Sequence, residues 1–259
     1  MDSEYLLDHR GIFVMSSGYD PLLLGGPEMP KLVWDALGEH FFETGVDHCV
    51  LYPVSSSGTY PNGVAWNGIT SISESPSGAD ANKQWADNLN YLTLYGAEEF
   101  GATIEAFTYP EEFEACDGSA RLVKGVTIGQ QTRTGFGLSY RTKVGNDVSG
   151  QDLAYKIHLV YGCRAAPSDR GYETINDSPE AITFSWELTT TPVSVTGHNP
   201  TACLTIDSRD FTTEQEKSKL KDFLDILYGK DGTGSNDNGT NARLPLPDEV
   251  KTYLTVSNG

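Results

Sequence analysis

Hydrophobic and polar positions alternate most clearly between Gly135 and Pro192. From Leu153 the chain runs LAYKIHLV, which sets Leu153, Tyr155, Ile157 and Leu159 against Ala154, Lys156, His158 and Val160. From Ile182 it runs ITFSWELTT, which sets Ile182, Phe184, Trp186 and Leu188 against Thr183, Ser185, Glu187 and Thr189. Just upstream, GFGLSYRT holds Phe136, Leu138 and Tyr140 in step. Strand side chains point to opposite faces with a period of two, so these runs predict half-buried antiparallel strands.

Shorter runs of the same kind extend the prediction. Strands are expected over Val46–Val54, Val64–Ser73, Leu89–Tyr95, Ala102–Pro110 and Ala202–Asp207, and over Leu244–Val256 behind two prolines. Arg121–Gln131 and Phe136–Thr142 are expected to pair with each other. Turn chemistry separates them: Pro61-Asn62-Gly63 closes a turn from Ser55, and Ser75–Asp80 reads as a loop. Ala97–Gly101 reads as a bend, Glu111–Gly118 as an acidic loop or a single helical turn, and Gly162–Pro179 as a long loop. Lys143–Asp152, KVGNDVSGQD, joins two well-patterned strands and has the composition of a protruding hairpin loop.

One stretch has a helical period instead. Thr213 and Glu216 fit a capping box, Leu220, Phe223, Leu224 and Leu227 form one apolar stripe, and Gly229 supplies a stop. A helix is therefore expected over 213–228, packed on the sheet. Lys230–Asn241 reads as a flexible Gly/Asn/Asp-rich loop. The fold class expected is mainly β: an antiparallel β-sandwich or barrel-like domain over 45–256 with one flanking helix.

Residues 1–44 differ. Gly18, Pro21, Gly25, Gly26, Pro27 and Pro30 break any period, so an N-terminal extension is expected, with a helical turn at most near Leu32–Leu37. Two glycine codons for Gly25-Gly26 can spell a purine-rich ribosome-binding sequence upstream of Met29. Met29 is then a candidate start; a tail docking on a neighbouring subunit is the alternative.

Charge narrows the function. The chain has 36 acids against 18 bases, a net charge of −18. Such a surface repels phosphate and excludes tight wrapping of nucleic acid. The excess either keeps the protein soluble or lines a passage that polyanions must traverse without sticking. Cys49, Cys116, Cys163 and Cys203 lie far apart without a CxxC pair, which excludes a zinc knuckle and reads as buried thiols in a reducing compartment, with two disulfides the alternative. No apolar run reaches the ~20 residues of a membrane helix.

Catalytic templates fail throughout. GxSxG, HExxH, Walker and Rossmann signatures are missing from the sequence. Asn236-Asp237-Asn238-Gly239 resembles a calcium loop but puts Gly234 at the first ligand position and Pro245 at the place of the bidentate Glu. The histidines His9, His40, His48, His158 and His198 lack partners at ligand spacing, and His158 reads as a surface or interface residue. Glu98/Glu99 and Glu111/Glu112 read as solvated acids rather than a glycosidase pair. Trp66, Trp85 and Tyr109 could form a sugar-stacking platform, although core or interface packing is the simpler use of such rings. No catalytic residue, metal site or cofactor is expected.

Several segments, in order, carry a resemblance. They are GVAWNG (63–68), ESPSGA (74–79), EEFGATIEAFTYPEEF (98–113), CDGSA (116–120), GVTIGQQTR (125–133), FGLSYRT (136–142), NDSPEAITFSWE (176–187), TTPVSVTG (190–197) and RLPLPDEV (243–250). Together they resemble the major tail tube protein of long-tailed, non-contractile bacteriophages and related prophages, from about Phe41 to Val250. The first ~30 residues depart from that pattern. The resemblance implies a non-enzymatic β-sandwich subunit that forms stacked, hexameric rings. Their hollow bore conducts double-stranded DNA without specific binding. It implies tape measure, tail tip and terminator proteins as partners, no membrane segment, and a place in the virion after assembly in the host cytoplasm. It also makes Lys143–Asp152 the candidate inter-ring loop, with Lys143, Gly145, Asn146, Asp147, Gly150 and Asp152 as its contact residues. An inner-tube protein of a contractile injection system and a carbohydrate-binding β-sandwich are the alternatives.

Overall fold

The computed structural model describes residues 32–175, 177–232 and 239–256. Contacts divide the chain into Met1–Ala36 and Leu37–Gly259. Of the first unit, residues 32–36 are described, and they are irregular with a bend at Asp35. The candidate start at Met29 and the Asn236–Asn238 run lie outside the described residues.

The second unit is mainly antiparallel β. Its strands are β1 (Phe42–Pro53), β2 (Val64–Ala65), β3 (Ile69–Glu74), β4 (Ser77–Gly78), β5 (Ala81–Ala86), β6 (Leu89–Tyr95) and β7 (Glu98–Glu99). There follow β8 (Gly101–Ala106), β9 (Ala120–Val123), β10 (Val126–Ile128), β11 (Phe136–Asn146), β12 (Gly150–Ala165), β13 (Phe184–Thr189) and β14 (Cys203–Asp207). Two helices, α1 (Glu214–Leu227) and α2 (Pro247–Leu254), complete it.

Eight strands form one sheet in the order β2-β1-β11-β12-β13-β8-β3, with β14 also on β12. The sixteen-residue β12 makes this possible. Its Lys156–Val160 segment pairs β14, while Arg164 and Ala165 pair β13. Between these segments Tyr161 and Gly162 together oppose Gly137, since Leu138 pairs Val160 and Phe136 pairs Cys163. The extra residue is a β-bulge, with Gly162 at φ +62°. It lets one strand serve two cores. Ile157, Leu159 and Tyr161 face the helices, whereas Val160, Cys163 and Ala165 face the aromatic core.

The aromatic core is built on Trp66, Phe113 and Trp186. Phe113 lies 4.5 Å from Trp66 and 5.1 Å from Trp186 by ring centroid. The Trp66 indole N–H donates to the Thr108 carbonyl at 2.9 Å, so its polar atom is paired despite burial. Phe113 is presented by a single 3₁₀ turn, Glu111–Phe113, as the acidic composition allowed. Beside it the nearly buried Asp117 carboxylate accepts from Arg133 and Arg170. Arg133 also donates to the Ala165 and Ala166 carbonyls, and Arg170 lies over the Tyr109 and Phe184 rings.

The second core lies under the helices. Thr213 Oγ1 accepts from the Glu216 amide at 3.3 Å and Glu216 Oε2 accepts from the Thr213 amide at 2.8 Å, closing the expected capping box. Leu220, Phe223 and Leu227 are buried against Val50, Tyr52, Ile157, Leu159 and Tyr161. Burying each such side chain contributes about 1.5–3 kcal/mol.

Several expected elements change. Leu244–Val256 is not a strand: Pro247 pre-sets helical φ at the first position, Asp248 and Glu249 fill the first turn, and Glu249 Oε2 accepts from the Leu246 amide at 3.2 Å. Val64–Ser73 breaks in two at Gly68, where φ is +79°. Arg121–Gln131 does not pair with Phe136–Thr142, because β11 already has β1 and β12 on its two sides. Instead β9 and β10 fold on each other around Gly125 (φ +79°). Lys143–Asp152 is not a long loop but the end of a strand pair, described below.

Candidate assembly surface

The β5–β6 hairpin is exposed along almost its whole length. Its tip is Asp87-Asn88, with φ of +52° and +63°. Two consecutive residues in the left-handed region suit the type I′ hairpin turn, and Asp and Asn tolerate that region better than other side chains. β5 and β6 pair only with each other, and their root is tied by a short β4–β7 pair. The alternation in Leu89–Tyr95 does form a strand, yet neither of its faces is covered. Trp85 is 68%, Leu89 70%, Tyr91 72% and Tyr95 72% exposed. A lone two-stranded hairpin is marginal in water, and clustered exposed apolar side chains mark interaction surfaces. The β9–β10 hairpin adds Leu122, Val123 and Val126, also exposed.

The sequence missed the first strand of this arm because ANKQWA (81–86) has no apolar alternation. The signal available was Asp87-Asn88 between two six- to seven-residue runs.

The expected inter-ring loop is compact. β11 continues to Asn146 and β12 starts at Gly150, leaving a turn at 147–149 that Gly150 (φ +67°) closes. Asn146 Oδ1 accepts from the Val148 and Ser149 amides at 3.2 and 2.6 Å, an Asx turn that fixes the tip. Gly145 lies against the Phe42 ring. Asp147 accepts from the Gly38 amide at 3.0 Å, and its carboxyl is held below the ordinary range, chiefly by that amide. Lys143 pairs with Asp152 at 2.8 Å. These six residues share one hairpin end, but Asn146 is buried and the tip is tied back to the chain at Gly38.

Other candidates are dispersed. Trp66 is a core residue, Trp85 sits on the arm, and Tyr109 packs on Phe184 and Trp186, so the sugar platform does not form. Glu98 and Glu99 lie on β7, while Glu111 pairs with Arg121 at 3.1 Å. His158 is half-buried rather than on the surface. It stacks on Tyr140 at 4.7 Å, approaches the Thr142 hydroxyl at 3.0 Å and lies 3.6 Å from Glu74, and desolvation lowers its pKa. All four thiols are free; Cys49, Cys116 and Cys163 are buried and Cys203 is exposed. Among the described residues, no helix is long and apolar enough to cross a membrane.

No family model and no curated protein matches the chain. Solved structures resemble it in part. A chain of the anti-feeding prophage baseplate is 10% identical, with a TM-score of 0.32, covering 68% of this chain and 97% of that one. A chain from the PVC extracellular contractile injection system, at its sheath/tube terminator, is 9% identical, with a TM-score of 0.29, covering 68% and 99%. A chain of the PVC sheath–tube complex is 11% identical, with a TM-score of 0.27, covering 62% and 88%. Likeness this distant carries no argument about what this chain does.

Proposed function

We propose that the chain is a structural subunit of a phage-type tail tube, acting through self-assembly rather than catalysis. The observation that carries the reading is the uncovered β5–β6 arm, with Trp85, Leu89, Tyr91 and Tyr95 exposed beside two well-packed cores. Burial against another chain would remove that apolar surface from water and cover a hairpin that is marginal alone. The ordered resemblance of the segments between Phe41 and Val250 to tail tube proteins supplies the class of assembly. In this reading the subunits form stacked, hexameric rings, joined to tape measure, tail tip and terminator proteins in the virion.

The net charge of −18 suits the bore of such a tube. Carboxylates facing the lumen repel phosphate, so double-stranded DNA slides without ion pairs that would pin it. At physiological salt this acts over about 8 Å, so it works only from acids at the wall. Negative-stain electron microscopy of the concentrated protein, alone and with tail-tip components, tests the proposal. Hollow rings or tubes of uniform diameter are expected; a monomer that persists in both samples rejects it.

A further inference from the structure

A groove of about 600 Å³ runs between α1 and the β11–β12 hairpin. Leu153, Phe211, Leu220 and Leu224 supply apolar lining, and Arg141, Lys143, Lys217 and Lys221 are set against Asp152 alone. Counting the acids that these bases already pair with, Asp152, Asp47 and Glu214, four bases meet three acids, in a chain that has twice as many acids as bases. The arm from Ser75 to Phe100 is the mirror image. It carries Asp80, Asp87, Glu98 and Glu99 against Lys83 alone, together with exposed apolar side chains that nothing among the described residues covers.

We propose that this groove receives the β5–β6 arm of a second copy of the chain, with Trp85 entering among the apolar residues and Asp87 meeting the lysines. The inference rests on the self-assembly reading and names the surface that reading leaves open. Opposite charge steers and orients such a contact, while the aromatic anchor supplies most of its energy. Bases of the groove already have partners: Arg141 bonds Asp47 at 2.7 Å, Lys143 bonds Asp152 at 2.8 Å and Lys217 bonds Glu214 at 2.9 Å. The two lysine pairs are exposed, and exposed pairs contribute little, so they exchange for a partner's carboxylate easily. Arm and groove are different surfaces, so the contact is head-to-tail. Such contacts propagate into rings when the rotation closes and into filaments when it does not.

The test uses the full chain with Cys203→Ser, which removes the exposed thiol, carrying Asp87→Cys and Lys221→Cys together. Mild oxidation at assembling concentration is expected to give a ladder of covalent multimers on a non-reducing gel. Each single cysteine variant is expected to stop at the dimer. Lys217→Glu with Lys221→Glu is expected to abolish assembly while circular dichroism stays unchanged. Mixing in chains with Asp80→Lys and Asp87→Lys is expected to restore it. A disulfide at monomer mass overturns the second-copy occupant. Rings or tubes by microscopy without a ladder overturn the groove assignment and leave the tube reading standing. Neither ladder nor rings overturns both.

Discussion

The Tyr52 hydroxyl donates to the Leu227 carbonyl at 2.7 Å and lies 3.2 Å from the Ser139 hydroxyl. It ties β1 to the last turn of α1, where a helix leaves carbonyls without an intrahelical partner. Burial pushes the Tyr52 phenol above its ordinary range, so it stays a neutral donor. Tyr52→Phe keeps the ring and strands a buried carbonyl. The expected loss is about 1–3 kcal/mol, read as a lower urea midpoint with an unchanged slope.

Asp117 is the next sensitive position. Its side chain is 7% exposed, and it receives both Arg133 and Arg170. Removing it leaves two guanidinium groups partly buried without their carboxylate. Asp117→Ala is expected to cost toward the lower end of ~3–5 kcal/mol, since both arginines keep some contact with water. The measurement is the equilibrium unfolding midpoint. Asp117→Ala with Arg170→Leu should recover part of the loss.

His158 makes stability depend on pH. Desolvation is the largest influence and lowers its folded pKa from 6.5, opposed by Glu74 and Glu43 and reinforced by Lys156. The unfolded chain therefore takes up the proton first as pH falls. Stability from this group is complete above the unfolded value of about 6.5 and is lost as pH drops through the lower folded value. Urea midpoints should fall between pH 7.5 and pH 5.5 in the native protein. The dependence should flatten in His158→Gln.

In the proposed assembly, the arm separates folding from association. Replacing Ala81–Tyr95 by a short Gly-Ser link removes residues outside both cores. The thermal transition is expected to stay within a few degrees of the parent. Rings and tubes should disappear from micrographs of the same preparation.

The sequence made the central sheet legible wherever alternation coincided with burial. Ile157, Leu159, Trp186 and Leu188 are buried as their spacing required, and α1 begins at the Thr213 cap. It misled where local chemistry and pattern competed. The apolar run around Leu246 read as a strand although Pro247-Asp248-Glu249 is a helix start, a signal that outweighs β-like composition. It also misled in the polar run KVGNDVSGQD, because the pairing of Lys143 with Tyr155 depends on backbone bonds that any side chain allows. The β12 bulge was hidden for the same reason: Gly162 marks it, but its partner Gly137 is distant in sequence. The arm could be read as a strand and not as a surface, since periodicity says which side chains share a face and not whether that face is covered.

The shared strand has a mechanical consequence. Ile157, Leu159 and Tyr161 belong beneath the helices, and Val160, Cys163 and Ala165 belong among the aromatic rings, all on one continuous backbone. Opening one half therefore displaces backbone that the other half packs on. A pull on α1 is felt at Trp186 through a single chain of hydrogen-bonded ribbon. The β5–β6 and β9–β10 hairpins lie outside both cores, so this coupling does not extend to them.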